Sequence, residues 1–543
     1  MKTEPHFHIS RRSFLRRTVP AAVGIGTAGH YLRDLHFMNS ALASGPFTDY
    51  KALVCLFLAG GNDANNMIIP TVTSEYTNYA NVRTEVLAIP NADGTGATAR
   101  QLTKAAGGNY IDPAGHEYGI HPAMFEIGEM FNQTAGFNDL GQVAAVLNMG
   151  NLAYPMTKAQ YVANSVAKPP QLFSHADQVT QFQTGWADVP PSTGWGGRMA
   201  DYLHSANPSN AGLDVLSTCI TIAGTNTFQV GNSVQQYNVG TGGIVSLSNP
   251  ASPTSAVTSR DAALKAILAN DKTLPNFYTS SYAKALDNTI ATGQGLSTGL
   301  SQSQMATYWS TVANWSKTGT AHQVVTPNGG TTFTSSLMQQ LKMVAQIIEA
   351  GQRAAGVNGG IGMKRQIFFV QVGGFDTHTG QTNNSGSATP SNAQVVIGSQ
   401  ANLLADISQS VWAFQKAMKA IGVQYGDPSF VNRVTTFTAS DFGRTFPSNG
   451  LGSDHGWGSH HLVIGGAVQG RKTYGTFPTL AVNGPDDTST GRWIPTTSVD
   501  QYAATLGKWM GIASNEINAV FPNLTRFSGS YGAANQPGYL GFV

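Results

Sequence analysis

Acidic residues directly follow apolar runs at three places in this chain, and histidines accompany them at two of the three. The motif GGND occupies residues 60–63, and the motif GGFDTH occupies residues 373–378. A third and denser group lies between residues 440 and 461. Its candidate residues are Ser440, Asp441, Arg444, Asp454, His455, His460 and His461. Carboxylates and imidazoles with a nearby arginine form a composition suited to divalent metal ions and an anion.

Asp376 and His378 are two residues apart on a segment that we expect to be extended. Side chains alternate with a period of two along an extended chain, so both would point to the same side. The alternative interpretation is a turn aspartate with a histidine placed there by chance. Asp63 by itself is a weaker signal, because aspartate is common in turns. Its weight comes from the recurrence of the same strand, glycine and aspartate order.

Ser174 and His175 lie directly before a segment with helical spacing. One interpretation is that either residue caps the helix. The other is that Ser174 offers a nucleophilic hydroxyl at the positive end of the helix, where an anion would also bind. The residues alone favour neither interpretation.

The histidines are concentrated in these segments. Nine of the 13 histidines follow residue 43, and six of the nine fall in the short motifs. The six are His121, His175, His378, His455, His460 and His461. Histidines scattered at random would not gather in this way, so the pattern favours a metal site or an acid–base site.

The elements that would position these residues are buried strands and amphipathic helices. Near-continuous apolar runs at 51–59, 142–149, 366–372, 434–438 and 462–464 are typical of strands covered on both faces of a parallel sheet. Apolar residues with helical spacing at 337–348 and 403–421 predict helices that pack on that sheet. The chain therefore predicts an α/β fold, with ligands bound beyond the carboxyl ends of the strands.

Residues 205–330 differ in composition, being rich in Ser, Thr, Asn and Gly. They contain one strand-like run at 218–223 and one helix candidate at 260–270. We interpret this segment as an insertion or cap within a single domain, 44–543. Cys55 and Cys219 lie in apolar runs and are expected to be buried thiols.

Composition excludes one class of partner. Only 11% of the residues are charged, and no basic stripe interleaved with aromatic residues occurs, so nucleic-acid binding is not expected.

The N-terminus predicts export. The stretch SRRSFLR at 10–16 resembles the twin-arginine motif, and Ala41 to Ala43 offers a small-x-small cleavage site. The apolar stretch at 18–29 is too short to span a bilayer, so no permanent membrane span is expected. We therefore expect residues 1–43 to be a signal peptide, the twin-arginine translocase to be a partner, and the protein to be periplasmic or secreted. This segment carries six of the 31 Lys and Arg residues and two of the 29 Asp and Glu residues, so the remaining chain is formally −2.

Several motifs together resemble a bacterial family of twin-arginine-exported proteins known as a domain of unknown function. The motifs are GGNDANN, SHADQ, GWGGR, GGFDTH, SDFGRT, SDHG and HLVIGGAVQG. The resemblance covers roughly 50–200 and 335–525, and the family is similar in fold to the alkaline phosphatase and sulfatase superfamily. It implies a central, mostly parallel sheet between helices, Ser174 as nucleophile, and one or two metal ions at the strand ends. The ligands that it implies are Asp63, Asp376, His378, Asp441, Asp454 and His455.

The chain departs from the superfamily pattern at three points. Phe442 stands where the superfamily has a histidine beside the aspartate, and the spacing from Asp376 to His378 is shorter than the common one. Both departures put a second metal ion in question. Neither cysteine lies in the Cys-x-Pro-x-Arg context of sulfatase maturation, which argues against a formylglycine sulfatase.

The sequence thus predicts an exported metal-dependent hydrolase of phosphate or related, sulfate-type esters. Mixed Asp and His ligation favours zinc, manganese or iron over calcium. Arg444 would bind the anionic ester through its planar fork, and His175, His460 or His461 would protonate the leaving group. The alternative is a non-catalytic secreted or surface protein that uses the same fold, with a degenerate site, for binding or assembly.

Overall fold

The computed structural model describes residues 47–91, 98–103, 107–189, 192–207, 216–244, 255–273, 277–527 and 538–543. The predicted signal peptide, with its twin-arginine motif and cleavage site, lies outside these residues. Export through the twin-arginine translocase therefore stays a prediction. Among the helices of the described residues, none combines the length and the apolar character that crossing a membrane requires.

The core of the fold is a nine-stranded sheet built around the first strand. Strands are numbered β1 to β14 in chain order. Strand β1 (Lys51–Leu58) lies between β10 (Arg365–Val372) and β11 (Val434–Ser440) and is parallel to both. Alternate residues of β1 enter two different apolar clusters, with Val54 in one and Cys55 in the other. This pattern belongs to a strand covered on both faces, as the apolar run predicted.

The outer strands make the sheet mixed. On one side β12 (Ser459–Gly465) is antiparallel to both β11 and β5 (Gln142–Gly150). Strands β13 (Lys472–Tyr474) and β14 (Thr497–Ser498) then pair in parallel with β5. On the other side β6 (Cys219–Thr221) pairs with β10, and β7 (Tyr237–Asn238) pairs with β6, both in parallel. The prediction of an α/β fold with a mostly parallel central sheet is confirmed.

Helices cover both faces of this sheet. The first face carries Phe125–Asn132, Ser336–Gln352 and Ser399–Gln424. The second face carries His175–Thr184, Trp195–Leu203, Val499–Met510 and Ile517–Val520. The helix Ser336–Gln352 begins as its sequence predicted, with the Ser335 hydroxyl accepting a hydrogen bond from the backbone N–H of Met338 at 2.8 Å.

The remaining elements are smaller or lie at the edges. Strands β2 (Ile68–Pro70), β3 (Arg100–Gln101) and β4 (Tyr118–Ile120) form a three-stranded sheet, and β8 (Gln323–Val325) pairs with β9 (Thr332–Thr334). The other α-helices are Thr73–Leu87, Lys158–Ala163, Ser255–Asp271, Phe277–Ser301, Ala306–Ser310 and Asn392–Val395. The short 3-10 turns are Pro122–Met124, His204–Ala206, Val312–Asn314, Val357–Gly359, Phe430–Arg433 and Pro522–Phe527.

The segment 205–330 is more closely joined to the sheet than its composition indicated. It supplies β6 and β7, which extend the central sheet beyond β10. Its two long helices, Ser255–Asp271 and Phe277–Ser301, contact each other. Cys55 and Cys219 are buried, and both are free thiols.

Strand direction brings the chemical motifs to one edge of the sheet. Strands β1, β5, β10 and β11 all run the same way, so their carboxyl ends lie at the same edge. Strand β12 runs in the opposite direction and begins at that edge. Four stretches of chain therefore meet at this edge: residues 60–63, 373–378 and 440–444, and the chain just before β12. In open α/β sheets, ligands bind beyond the carboxyl ends of the strands.

Candidate metal centre

Four side chains converge at this edge. The Nε2 atom of His455 lies 3.1 Å from Nε2 of His175 and 2.9 Å from Nε2 of His378. The carboxylate of Asp376 joins them, with Oδ1 3.1 Å from Nε2 of His378 and 3.2 Å from Nε2 of His455. Its Oδ2 lies 3.5 Å from Nε2 of His175. We call these four residues the His3Asp cluster.

Each imidazole of the cluster is held from behind through its other nitrogen. Nδ1 of His175 lies 2.7 Å from Oδ2 of Asp441, and Nδ1 of His378 lies 2.9 Å from Oδ1 of Asp454. Nδ1 of His455 lies 2.7 Å from the backbone oxygen of Phe173. Ionised carboxylates and carbonyl oxygens only accept hydrogen bonds, so each Nδ1 carries the proton and donates it. In a neutral ring the lone pair then belongs to Nε2.

The cluster therefore gathers electron pairs without protons between them. The ligand atoms of His175, Asp376 and His455 all lie within 4.8 Å of one another, and Nε2 of His378 adjoins those of Asp376 and His455. A neutral ring with its proton on Nδ1 can only accept at Nε2, so each of these contacts brings two acceptors together. A proton on His455 would separate the facing lone pairs. Burial, however, lowers the pKa of this ring and so disfavours that proton. Burial alone would raise the pKa of Asp376, but the hydrogen bond and charge of Arg444 hold it below its usual value. A cation fits this arrangement, and ligating histidines are typically held at the second nitrogen in this way.

Glycines let the ligand-bearing loops approach one another. Gly60 follows β1 with φ at +117°, and a Cβ atom there would lie 2.5 Å from the backbone nitrogen of Asp376. Only glycine permits the loop after β10 to pass so close to the end of β1. His175 is the first residue of its helix, so the positive end of that helix lies at the cluster.

Asp441 and Asp454 support the cluster from outside. Asp441 uses one oxygen for His175 and the other to accept the backbone N–H of Gly60 at 3.1 Å. Asp454 accepts from His378 and from the side chain of Asn449, at 2.9 Å and 3.0 Å. Both carboxylates were predicted as metal ligands. The oxygens that face the histidines already accept hydrogen bonds from the protein, and direct ligation by either residue stays a prediction.

Arg444 donates a hydrogen bond to Asp376 of the cluster, and its side chain is not exposed to an anion in solvent. Its side chain is fully buried and donates to Oδ1 of Asp376 at 2.6 Å. It also donates to the backbone oxygens of Ser453 and Gly60. The predicted role of Arg444 as an anion clamp stays a prediction, and in this structure its guanidinium donates to Asp376 and to carbonyl groups.

Asp63 does not reach the cluster. Its carboxylate is fully buried in an ion pair with Arg83, and it also accepts a hydrogen bond from the side chain of Gln381. Arg83 in turn donates to the backbone oxygen of Phe446 at 2.9 Å. Asp63 was predicted as a metal ligand; here a guanidinium already balances its charge, and ligation by Asp63 stays a prediction.

The predicted nucleophile and proton donors lie in different surroundings. The Ser174 hydroxyl donates to Oδ2 of Asp177 at 2.7 Å, and it makes no capping hydrogen bond to its helix. His460 and His461 are buried in β12, and burial lowers the pKa of each ring to about 3. These two rings are held neutral in the core, so they do not supply the proton of an acid catalyst. Of the predicted catalytic histidines, only His175 lies in the cluster.

Phe173 and Arg492, near the cluster, carried no functional signal in the sequence, and Phe442 entered the sequence analysis only as a departure from an expected pattern. The ring of Phe442 is buried, with its centre 4.7 Å from that of His175 and 4.6 Å from that of His455. Phe173 contributes its backbone oxygen, which any residue could supply. Arg492 donates to the backbone oxygen of His455 at 2.8 Å. Contacts to the main chain leave no mark on residue types, so only the fold could reveal them.

The chain matches the family described as "Protein of unknown function (DUF1501)" over residues 50–521 and belongs to it. No curated protein and no solved structure matches the chain.

Proposed function

We propose that this member of the DUF1501 family is a metal-dependent hydrolase of phosphate or related, sulfate-type esters. The observation that carries the proposal is the His3Asp cluster, in which His175, Asp376 and His455 bring their ligand atoms within 4.8 Å of one another and His378 adjoins Asp376 and His455. His175, Asp376, His378 and His455 would hold the ion. Zinc, manganese or iron suits this imidazole-rich set better than calcium.

A divalent ion held there supplies Lewis acidity, which lowers the pKa of a coordinated water or hydroxyl and offsets negative charge on the transferred group. The chain itself supplies the orientation of the ligands. Asp441, Asp454 and the Phe173 oxygen fix the tautomer of each imidazole, and Arg444 holds Asp376 ionised. The start of the helix His175–Thr184 adds its positive end to the attraction for an anionic ester.

The surroundings of the cluster support one ion rather than two. Asp63 is paired with Arg83, both oxygens of Asp441 accept from protein groups, and Phe442 fills the space beside His175. Asp63 and Asp441, which the resemblance implied as ligands of one or two ions, therefore already have protein partners. The proposal is a single-ion centre whose nucleophile is a water or the Ser174 hydroxyl.

A second candidate function is favoured by one observation. Arg444, the predicted anion clamp, is fully buried and committed to Asp376. A metal-bearing but non-catalytic protein, exported for binding or assembly, would need no exposed arginine at the centre. This alternative shares the ion and differs only in the hydrolysis step.

The test measures metal content and hydrolysis on the same preparations of the full chain. Elemental mass spectrometry on wild type, Asp376→Asn and the distant, exposed control Asp139→Asn should show an ion that only Asp376→Asn loses. Hydrolysis of p-nitrophenyl phosphate, bis-p-nitrophenyl phosphate and p-nitrophenyl sulfate should follow the metal content. Ser174→Ala separates the two nucleophiles, since activity that survives it assigns the attack to water. A bound ion without hydrolysis would favour the non-catalytic binding protein. A chain that binds neither zinc, manganese nor iron would contradict both candidate functions.

A further inference from the structure

Arg492 lies behind the His3Asp cluster on a chain segment distant from it in sequence. Its Nε–H donates to the backbone oxygen of His455 at 2.8 Å. Its guanidinium lies over the ring of Phe173, 4.2 Å from the ring centre. The backbone oxygen of Phe173 is the group that faces Nδ1 of His455, at 2.7 Å. The three residues thus form a closed set of contacts around one ligand of the cluster.

The backbone of Phe173 adopts an unusual conformation. Its φ is +73°, in the left-handed region that bulky residues rarely occupy. Such a conformation persists only where the surrounding contacts enforce it, and it is found most often at functional sites. Here it precedes Ser174 and His175, so the same turn carries one cluster ligand and the acceptor that orients another. Any relaxation of Phe173 would disturb both ligands.

We propose that Arg492 is a positioning residue of the metal centre, acting through His455 and Phe173. The planar guanidinium stacks on the ring of Phe173 and at the same time fixes the backbone of His455. It thereby keeps the Phe173 oxygen on Nδ1 of His455 and the Nε2 lone pair directed into the cluster. The inference rests on the proposed function, because it assigns Arg492 to the support of the proposed ion site.

The chain offers a matched control in Arg526. This arginine lies over the ring of Tyr154 at 4.4 Å and donates to the backbone oxygen of Ala153 at 3.1 Å. It also pairs with Asp188 at 2.6 Å. Arg526 therefore makes the same kinds of contact as Arg492, a stack and a bond to a carbonyl, without touching a residue of the His3Asp cluster. Loss of either arginine costs packing, but only loss of Arg492 should change metal binding.

The experiment titrates Zn²⁺ and Mn²⁺ into metal-free full-length protein by calorimetry. Outer partners of metal-bound histidines typically contribute about 10–100-fold to metal affinity, so Arg492→Ala should weaken binding by that factor. Arg526→Ala should stay within about twofold of wild type, since it lies outside this support. Arg492→Lys keeps the charge but not the planar stack, and it should fall between. The visible spectrum of the Co²⁺-loaded protein should shift in Arg492→Ala, because the His455 ligand is reoriented.

A second variant guards against a general folding defect. Phe173→Gly removes the ring and suits a positive φ, so Arg492→Ala in that background should cause a smaller further loss of affinity, the part that comes from the bond to the His455 oxygen. Equal affinities and spectra for Arg492→Ala and Arg526→Ala would overturn the role of Arg492 while leaving the proposed function intact. Wild-type protein that binds none of these ions would instead overturn the proposed function and this inference together.

Discussion

The hydrogen bond between Asp441 and His175 fixes the orientation and the tautomer of His175 in the His3Asp cluster. Oδ2 of Asp441 lies 2.7 Å from Nδ1 of His175, on the side of the ring opposite the cluster. Only 4% of Asp441 is exposed, and its other oxygen accepts from the backbone of Gly60. The carboxylate therefore has little freedom to move, and it holds the His175 tautomer that leaves Nε2 without a proton.

We expect Asp441→Asn to weaken metal binding while the protein stays folded. An asparagine amide can turn its NH₂ group toward Nδ1, which would move the ring proton to Nε2 and block the ligand. Loss of such an outer partner typically costs about 10–100-fold in metal affinity. Calorimetric titration of Zn²⁺ or Mn²⁺ into the metal-free variant measures this factor.

The control for that experiment is Asp406→Asn. Asp406 is buried to the same extent as Asp441, but its oxygen accepts from the hydroxyls of Ser335 and Ser410 in the helical layer. A buried aspartate is thus neutralised in both variants, and only one of them adjoins the cluster. Equal metal affinity in Asp441→Asn and Asp406→Asn would show that Asp441 does not control the His175 ligand.

We expect one ion per chain, and we expect Phe442→His to leave that number unchanged. Phe442 stands where the sequence-based expectation of a second ion calls for a histidine, so the substitution supplies that residue type. The carboxylate of Asp63 nevertheless remains paired with Arg83, and Asp441 remains bonded to His175. Elemental mass spectrometry at saturating zinc measures the stoichiometry. Two ions in Phe442→His would show that Phe442 alone excludes the second ion.

The buried pair of Asp63 and Arg83 should dominate local stability. Both side chains are fully buried, so Arg83→Met leaves an uncompensated carboxylate in the core. Breaking such a pair typically lowers the free energy of unfolding by about 3–5 kcal/mol. The double variant Asp63→Asn with Arg83→Met should recover part of that loss, because the charge is gone. Urea unfolding followed by tryptophan fluorescence measures both.

Lys419 and Asp139 provide the comparison for the buried pair. Their side chains are 46% and 52% exposed, so Lys419→Met should change the free energy of unfolding by less than about 1 kcal/mol. A loss as small as this in Arg83→Met would mean that Asp63 takes up a proton or another partner when its arginine is removed.

The sheet and the edge that carries the site follow directly from residue patterns. Apolar runs identified β1, β5, β10 and β11 because strands buried on both faces favour apolar or β-branched side chains over most of their length. Once those strands are parallel, the residues after them must meet at one edge. The sequence alone therefore predicts that Asp376 and His378 lie near His455.

The roles within the site could not be read in the same way. An aspartate after a strand looks identical in sequence whether it binds an ion, as we propose for Asp376, or pairs with an arginine, as Asp63 does. The choice depends on which partner lies within about 3 Å, a distance that folding decides between residues far apart in the chain. Arg83 lies on the helix Thr73–Leu87 among polar residues, so the sequence around it did not predict the ion pair with Asp63. Residues acting through main-chain oxygens, such as Phe173, were hidden for the same reason.

His460 should make the protein sensitive to acid. Burial lowers the pKa of its ring to about 3, while the same ring in the unfolded chain titrates near 6.5. The unfolded state therefore binds more protons between these values, and stability present above about pH 6.5 is lost as pH falls, at about 1.4 kcal/mol per pH unit.

His460→Gln cannot titrate, so its free energy of unfolding relative to wild type should rise by about 2 kcal/mol between pH 6.5 and pH 5. Urea unfolding in the presence of a chelator, which removes any contribution of bound metal, measures this difference at pH 8, 6.5 and 5. Well above pH 6.5 the difference should be constant, since His460 is then neutral in both the folded and the unfolded state. Parallel curves for variant and wild type over the whole range would contradict the prediction, because they would require His460 to be as easily protonated in the fold as in the unfolded chain.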